Sequence, residues 1–276
     1  MAGTTGSLGS KDVLDKFYTT DSKAQWCISK LRLNDFDCII EPSAGGGAFS
    51  KQISGCIAYD IAPEYDSIQQ ADWLTLDKSI FDKYNNILVI GNPPFGKNDT
   101  LAMQFIRESA SCADCIAFIL PKGFKKSSYK NRVPLDFWLT QEYDIPADSF
   151  TLNSEKYAVP CVFQIWEKRD TPRVVTKQKT TSDFFVFTTK SDCDLRIQRV
   201  GGRAGKASTD LDVSEQSNYF VKITDERLNI STVMHIVNSS VFPTVDDTTG
   251  PRSLSKSELV DVVDNNILNF LDRSTI

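Results

Sequence analysis

One histidine, His235, is all that the 276 residues provide. Ser-His-Asp and Cys-His mechanisms need an imidazole beside a nucleophile, and the segment around His235 carries no nucleophile signature, so both are excluded. No run of eighteen apolar residues occurs, and the opening MAGTTGSLGS is small and polar. Neither a transmembrane helix nor a secretory leader is expected; the chain reads as soluble and intracellular, in cytoplasm or nucleus, with residues 1–9 a tag-like or disordered lead. Positive charge is also in short supply: 31 basic against 36 acidic residues leave a net charge of −5, which excludes a protein coated in positive charge but permits a local basic face. The seven cysteines are odd in number and mostly lie in apolar runs such as Cys38-Ile39-Ile40 and Cys161-Val162-Phe163, so they read as reduced core residues. Cys112 and Cys115 form a C-x-x-C without a second pair at zinc spacing, and no metal site is expected.

What the chain does have is alternation. From Ser10 to Lys168, short apolar runs trade places with helical stretches, the signature of an α/β domain with a mostly parallel sheet. Strands are expected at 38–41, 56–60, 87–91, 115–120, 160–167 and, with a weaker pattern, 142–145. Helices are expected at 22–31 and, behind an Asp99 cap, at 100–110. The polar, basic, Pro172-broken stretch 169–182 reads as a linker. Residues 183–276 then form a smaller α+β unit, with strands at 184–188, 195–200 and 219–223 and a helix near 231–238. A last helix opens with the capping box Ser255-Lys-Ser-Glu258 and carries Leu259, Val263, Ile267, Phe270 and Leu271 on one stripe.

Chemistry is written at the ends of the strands. Glu41-Pro-Ser-Ala-Gly45-Gly46-Gly47 follows a strand, and its glycines let the backbone approach a ligand closely and aim the amides of a following helix at it. The third glycine of the dinucleotide fingerprint is missing, and the Glu41 carboxylate suits a ligand with an amino group and no phosphates. Asp60 ends the next strand, where this architecture places an acid on ribose hydroxyls. Asp72 follows in a third turn, placed to accept from an adenine amine with Trp73 or Leu74 beside the ring. Together these outline an adenosine carrying an amino-acid tail. Asn92-Pro93-Pro94-Phe95 comes directly after the apolar strand 87–91; its two prolines cannot continue a strand and fix the Asn92 side chain and the neighbouring carbonyls at the carboxyl edge of the sheet.

In this order the motifs resemble the class I S-adenosylmethionine-dependent methyltransferases acting on exocyclic amines, in particular those that methylate N6 of adenine. The resemblance covers Lys16 to about Lys168 and implies a Rossmann-like sheet with flanking helices, residues 10–168 serving as the cofactor-binding catalytic domain. Phe17-Tyr18-Thr19-Thr20 is similar to the family's F-Y-T-P element, with Thr20 in place of proline, which implies contact with the methionine portion of the cofactor. Glu41, Ser43, Gly45 and Gly47 match the cofactor turn, Asp60 the ribose acid, Asp72 the adenine acid, and Asn92, Pro93, Pro94 and Phe95 the catalytic tetrapeptide. Leu120-Pro121-Lys122-Gly123-Phe124 resembles the segment after the fifth strand, which makes Lys122 and Phe124 substrate-side candidates.

An aromatic amine is a poor nucleophile, and two acceptors on its hydrogens favour a pyramidal nitrogen and stabilise the charge that grows on it. The Asn92 side-chain oxygen and the Pro93 carbonyl are the candidates, with Phe95 as a stacking face. A base flipped from a duplex is commonly clamped by a second aromatic, here Tyr157 ahead of Phe150. The expected partner is nucleic acid, with DNA placed before RNA. The 183–276 unit would serve recognition, Arg199, Arg203 and Lys206 forming a mobile, glycine-rich basic loop on phosphates. N5-methylation of protein glutamine and a catalytically silent binding subunit are the competing readings.

Overall fold

The computed structural model describes residues 18–145, 150–152, 155–157, 159–175 and 177–274. The chain divides into two compact units, one comprising residues up to 121 together with 131–174, the other 122–130 together with 175–276.

The first unit contains β1 (Tyr18–Thr19), α1 (Asp21–Ile28), β2 (Cys38–Glu41), β3 (Ile57–Asp60), β4 (Gln69–Gln70), β5 (Ile87–Gly91), α2 (Thr100–Ala110), β6 (Cys115–Pro121), β7 (Phe137–Ile145), β8 (Phe150–Leu152), β9 (Glu155–Tyr157) and β10 (Cys161–Lys168). Seven strands form one sheet in the order β4-β3-β2-β5-β6-β10-β7. The pairs from β4 to β6 are parallel, and β10 runs antiparallel to both its neighbours. Every residue of β2, β5 and β6 is buried, because parallel strands are covered on both faces; this is why they appear in the sequence as unbroken apolar runs. The fold is the Rossmann-like α/β class expected from the sequence. From β2 the chain winds outward through β3 to β4, then returns to place β5 on the other flank of β2. The connections after β2 and β5 therefore leave in opposite directions and open a cleft beyond the carboxyl ends of these two strands.

Local departures from expectation have identifiable causes. No α-helix follows the glycine turn, only a 3₁₀ turn at Ser50–Gln52, since the amides that would open a helix are directed back to Glu41. Helix α2 starts at Thr100 as expected, but Asp99 is left-handed (φ 58°) and its side chain does not cap. The Phe95 carbonyl does so instead, accepting from Leu101 N at 3.1 Å and Ala102 N at 3.3 Å. Strand β7 begins five residues earlier than read, at Phe137, and pairs with β10 along its whole length. β1 pairs with β8, and β8 with β9, in a separate three-stranded sheet that aligns Thr19 with Phe150 and Phe150 with Tyr157.

The second unit contains α3 (Ser127–Lys130), β11 (Phe185–Phe187), β12 (Leu195–Gln198), β13 (Ala207–Ser208), β14 (Asn218–Ile223), α4 (Ile230–Ser239) and α5 (Lys256–Ser274). Its antiparallel sheet runs β11-β14-β12-β13. Phe185, Leu195, Ile197 and Val221 share one core with Val233 and Val237 of α4 and Leu259, Val263 and Ile267 of α5. The capping box forms reciprocally, Ser255 N donating to Glu258 Oε2 at 2.8 Å and Glu258 N to Ser255 Oγ at 3.2 Å. Phe270 departs from the expected stripe and is 40% exposed.

The structure refines three expectations about boundaries and the basic loop. Residues 122–130 belong to the second unit, where Lys126 Nζ donates to Ser253 O at 2.9 Å and Lys122 pairs with Asp247 at 3.6 Å. The division between the units falls within the stretch read as a linker, between 174 and 175, and both sides of it are tied down. Arg173 donates to the carbonyls of Phe137 (2.9 Å) and Val133 (2.6 Å), while Lys179 and Ser182 bind the carboxylate of Asp264. The basic loop is a hydrogen-bonded turn: Gly205 N donates to Gln198 O at 2.8 Å, Gly201 N to Arg252 O at 2.9 Å and Ala204 N to Gly201 O at 2.9 Å.

Gly205 carries this turn. Its φ is +88°, and a Cβ there would lie 2.7 Å from the Phe242 ring. Gly205→Ala should therefore destabilise the second unit by roughly 2–4 kcal/mol, strain and overpacking combined. Urea unfolding followed by a probe in that unit checks it, and Gly202→Ala, whose Cβ meets nothing within 4 Å, is the matched control.

Candidate functional site

Glu41 ends β2 and is 2% exposed. A carboxylate so placed needs donors, and it takes them from its own loop: Ser50 N at 2.7 Å and Phe49 N at 3.4 Å. These bonds fold the glycine turn back over the strand end. Burial pushes its pKa up to about 7. Gly45 and Gly47 adopt positive φ (49° and 73°) to make the reversal. Gly45 N then donates to Asp60 Oδ2 at 2.7 Å, tying the turn to the end of β3. Asp60 Oδ1 accepts from Ala62 N at 2.8 Å, and Asp72 Oδ1 from Leu74 N at 2.9 Å, so both acids also cap their own loops.

The second strand end belongs to β5. Asn92 follows Gly91 directly, its Oδ1 is shielded from solvent, and its carbonyl accepts from Ser43 Oγ at 3.3 Å. Ser43 so links the loop after β2 to the loop after β5. Gly96, at φ +70°, bends the chain so tightly that a Cβ would lie 2.7 Å from Leu101 Cβ.

Between these strand ends lies a cavity of about 770 Å³. Of the expected cofactor residues, Tyr18, Thr19, Glu41, Ser43, Gly45, Asp60 and Asp72 line it, together with Asn92 and Pro94 of the tetrapeptide. Gly47, Pro93 and Phe95 do not; Phe95 is 9% exposed, which removes it from the cavity wall as a stacking face. Phe17 lies outside the described residues, as does the side chain of Tyr157. Trp73 and Leu74 both reach the wall, as read, and Trp73 is fixed by Nε1 donating to Ser109 Oγ at 3.2 Å.

Tyr18 covers the glycine turn. A Cβ on Gly45 would meet its ring at 3.3 Å, and its hydroxyl donates to Glu64. Burial and the Glu64 carboxylate push the Tyr18 pKa up to about 12. Thr19 is 8% exposed and its Oγ1 has no partner among the described residues. Asp21, Lys51, Ile61, Tyr65 and Lys97 are among the further lining residues that were not picked out from the sequence. Lys97 could have been, by its place just behind the tetrapeptide; Tyr65, under the Lys51 ammonium at 3.3 Å, sits in a loop with no local signal.

The remaining sequence candidates belong to the second unit and have other duties there. Phe124 is fully buried and stacks on Tyr129 at 4.8 Å, which makes it a core residue. Lys122 faces Asp247, Arg199 lies over the Tyr219 ring at 5.3 Å, and Lys206 Nζ donates to Asn238 O at 2.7 Å; Arg203 is exposed. His235 is exposed on α4.

No family model and no curated protein matches the chain. Several solved structures resemble it. A proposed RNA methyltransferase from Pyrococcus horikoshii is 14% identical over 54% of this chain and 82% of that one, with a TM-score of 0.40. An S-adenosylmethionine-dependent methyltransferase from Anabaena variabilis is 13% identical over 55% and 87%, at 0.39. The magnesium protoporphyrin IX methyltransferase of Synechocystis, solved with bound S-adenosylmethionine, is 14% identical over 54% and 77%, at 0.34. At these values the chemistry has to be argued from the cavity's own residues.

Glu41 makes a pH prediction. Its folded pKa lies above that of the unfolded chain, so the native state binds the extra proton between about pH 4.5 and 7 and loses stability as pH rises through that window. The loss should approach about 3 kcal/mol at most, and Glu41→Gln should flatten it. Denaturation midpoints from pH 4.5 to 8 for both proteins provide the check.

Proposed function

We propose that the protein transfers a methyl group from S-adenosylmethionine to the N6 amine of adenine in nucleic acid, releasing S-adenosylhomocysteine. The observation that carries this reading is the placement of Asn92 and Pro94 on one wall of the switch-point cavity whose other walls bear Thr19, the glycine turn, Asp60 and Asp72.

The residues present fit the cofactor. Thr19 offers a buried hydroxyl without a protein partner among the described residues, suited to the polar amino-acid tail. The turn at Gly45 and Gly46 lines the cavity, and the absence of a Cβ there lets the Tyr18 ring lie close against it. Asp60 is placed for ribose hydroxyls, and Asp72, with one oxygen outside its loop bond, for the adenine amine. The volume lies within the range of about 300–1,000 Å³ usual for small-molecule sites. When bound, S-adenosylmethionine supplies an electrophilic methyl on a sulfonium. Asn92, on the cavity wall, accepts a hydrogen bond from the acceptor amine, holds its lone pair toward the methyl, and offsets the positive charge that develops on nitrogen. Prolines 93 and 94 and the Phe95 carbonyl on α2 keep this acceptor from drifting. With Phe95 turned from the cavity, the choice of adenine over a side-chain amide is supported by the sequence resemblance, not by a stacking face.

Incubation with methyl-labelled S-adenosylmethionine and, separately, duplex DNA, single-stranded DNA, structured RNA, capped RNA and a glutamine-containing peptide, followed by digestion, tests the reading directly. Label in N6-methyladenosine or its deoxy form is the expected result; label in glutamine or in nothing refutes it. Asn92→Ala should lower turnover on the order of 10²-fold or more with cofactor affinity near wild type. Asp60→Ala should weaken S-adenosylmethionine and S-adenosylhomocysteine alike by roughly 1–3 kcal/mol in calorimetry, because the two share the ribose.

A further inference from the structure

Among the described residues, six charged side chains line the cavity. Asp21, Glu41, Asp60 and Asp72 are acids carried by α1, β2, β3 and the segment that follows β4; Lys51 and Lys97 are the two cations. Lys51 is engaged with the Tyr65 ring on the glycine-turn side. Lys97 comes from the other side, two residues beyond the tetrapeptide, is exposed, and makes no ion pair or hydrogen bond through its ammonium among the described residues.

Its backbone is firmly held. Gly96 fixes the bend before it, Thr100 Oγ1 donates to the Lys97 carbonyl at 2.8 Å, Asp99 N donates to Gly96 O at 3.3 Å, and the Phe95 carbonyl anchors the first turn of α2. Lys97 therefore starts from a set position relative to Asn92. A free ammonium beside a reaction that builds positive charge on the acceptor nitrogen is electrostatically adverse, unless the acceptor itself brings an anion to neutralise it. The acid-lined side suits a cationic cofactor, and the tetrapeptide side suits an acceptor with negative charge close to the reacting amine.

Resting on the adenine reading above, we propose that Lys97 binds a backbone phosphate adjoining the target adenine and thereby selects a nucleotide within a polyanion over a neutral acceptor. Ammonium–phosphate contact is charge-assisted and directional enough to register the nucleotide, while Asn92 on the cavity wall meets the reacting amine. Asp99, two residues away, does not line the cavity.

The test pairs a protein change with a substrate change. An oligonucleotide that the enzyme methylates is compared with copies carrying a neutral methylphosphonate at the linkage on either side of the target adenine. For the wild type, one neutral linkage should raise KM on the order of tenfold. Lys97→Gln should show that raised KM with the native oligonucleotide, no further rise with the neutral linkage, and a salt dependence about one unit shallower in slope. Lys97→Arg should restore the wild-type pattern, with kcat and cofactor affinity within about twofold throughout, as expected of a residue that contacts phosphate alone. An unchanged KM in Lys97→Gln overturns the inference while leaving the adenine reading intact, and loss of cofactor affinity overturns it by assigning Lys97 to the cofactor. If the wild type methylates no adenine, both fall together.

Discussion

A carboxylate sealed at the end of a central strand must be satisfied by something, and how Glu41 is satisfied shapes the rest of the site. Its donors are the amides of Phe49 and Ser50, eight and nine residues on, so the chain after β2 has to double back over the strand end. That reversal demands left-handed backbone at Gly45 and Gly47, consumes the amides that would otherwise open a helix, and presents Gly45 N to Asp60. The reversed turn, its tie to Asp60 and the missing helix all follow from one buried group.

The opposite wall is stiffened by different means. Two prolines follow Asn92, and the carbonyl of Phe95 replaces a side-chain cap on α2. Ser43 bridges to the Asn92 carbonyl, so the loops after β2 and β5 share a hydrogen bond as well as a cleft. Preorganised acceptors are effective because they need no reorganisation when charge develops, and a wall braced from the strand, the helix and the neighbouring loop suits that demand. The strand pair β1–β8 adds a third support, since the strand that brings Tyr18 and Thr19 to the cavity is aligned with Phe150 and Thr151.

The parallel core was legible because both-face burial leaves unbroken apolar runs: Cys38–Glu41 and Ile87–Gly91 have the bounds read from the sequence. The two-residue strands β1, β4 and β13 were not, since so short a segment has no period and is held by its neighbours. Strand-end acids could be placed but their hydrogen bonds could not. That Glu41 serves its own loop, and that Asp99 yields its capping role to the Phe95 carbonyl, depends on backbone geometry that residue types do not encode. The basic segment 199–206 misled for a related reason. Glycine and arginine suggest a pliant loop, whereas Gly205 is there because Phe242 packs on its Cα face, a contact across 37 positions.

One group in the cavity invites a different mechanism. Glu41, with its pKa near 7, has the proton affinity of a general base at neutral pH. Proton affinity alone does not qualify it. A base must reach the proton it removes, and both Glu41 oxygens are turned to the amides of Phe49 and Ser50, with the residue 2% exposed. The same burial that raises its pKa is the burial that withholds it from a substrate. His235 is exposed on α4 in the second unit and does not line the cavity. Of these two groups, then, neither is poised to take a proton from an amine in the cavity: Glu41 is held by its own loop and His235 lies elsewhere.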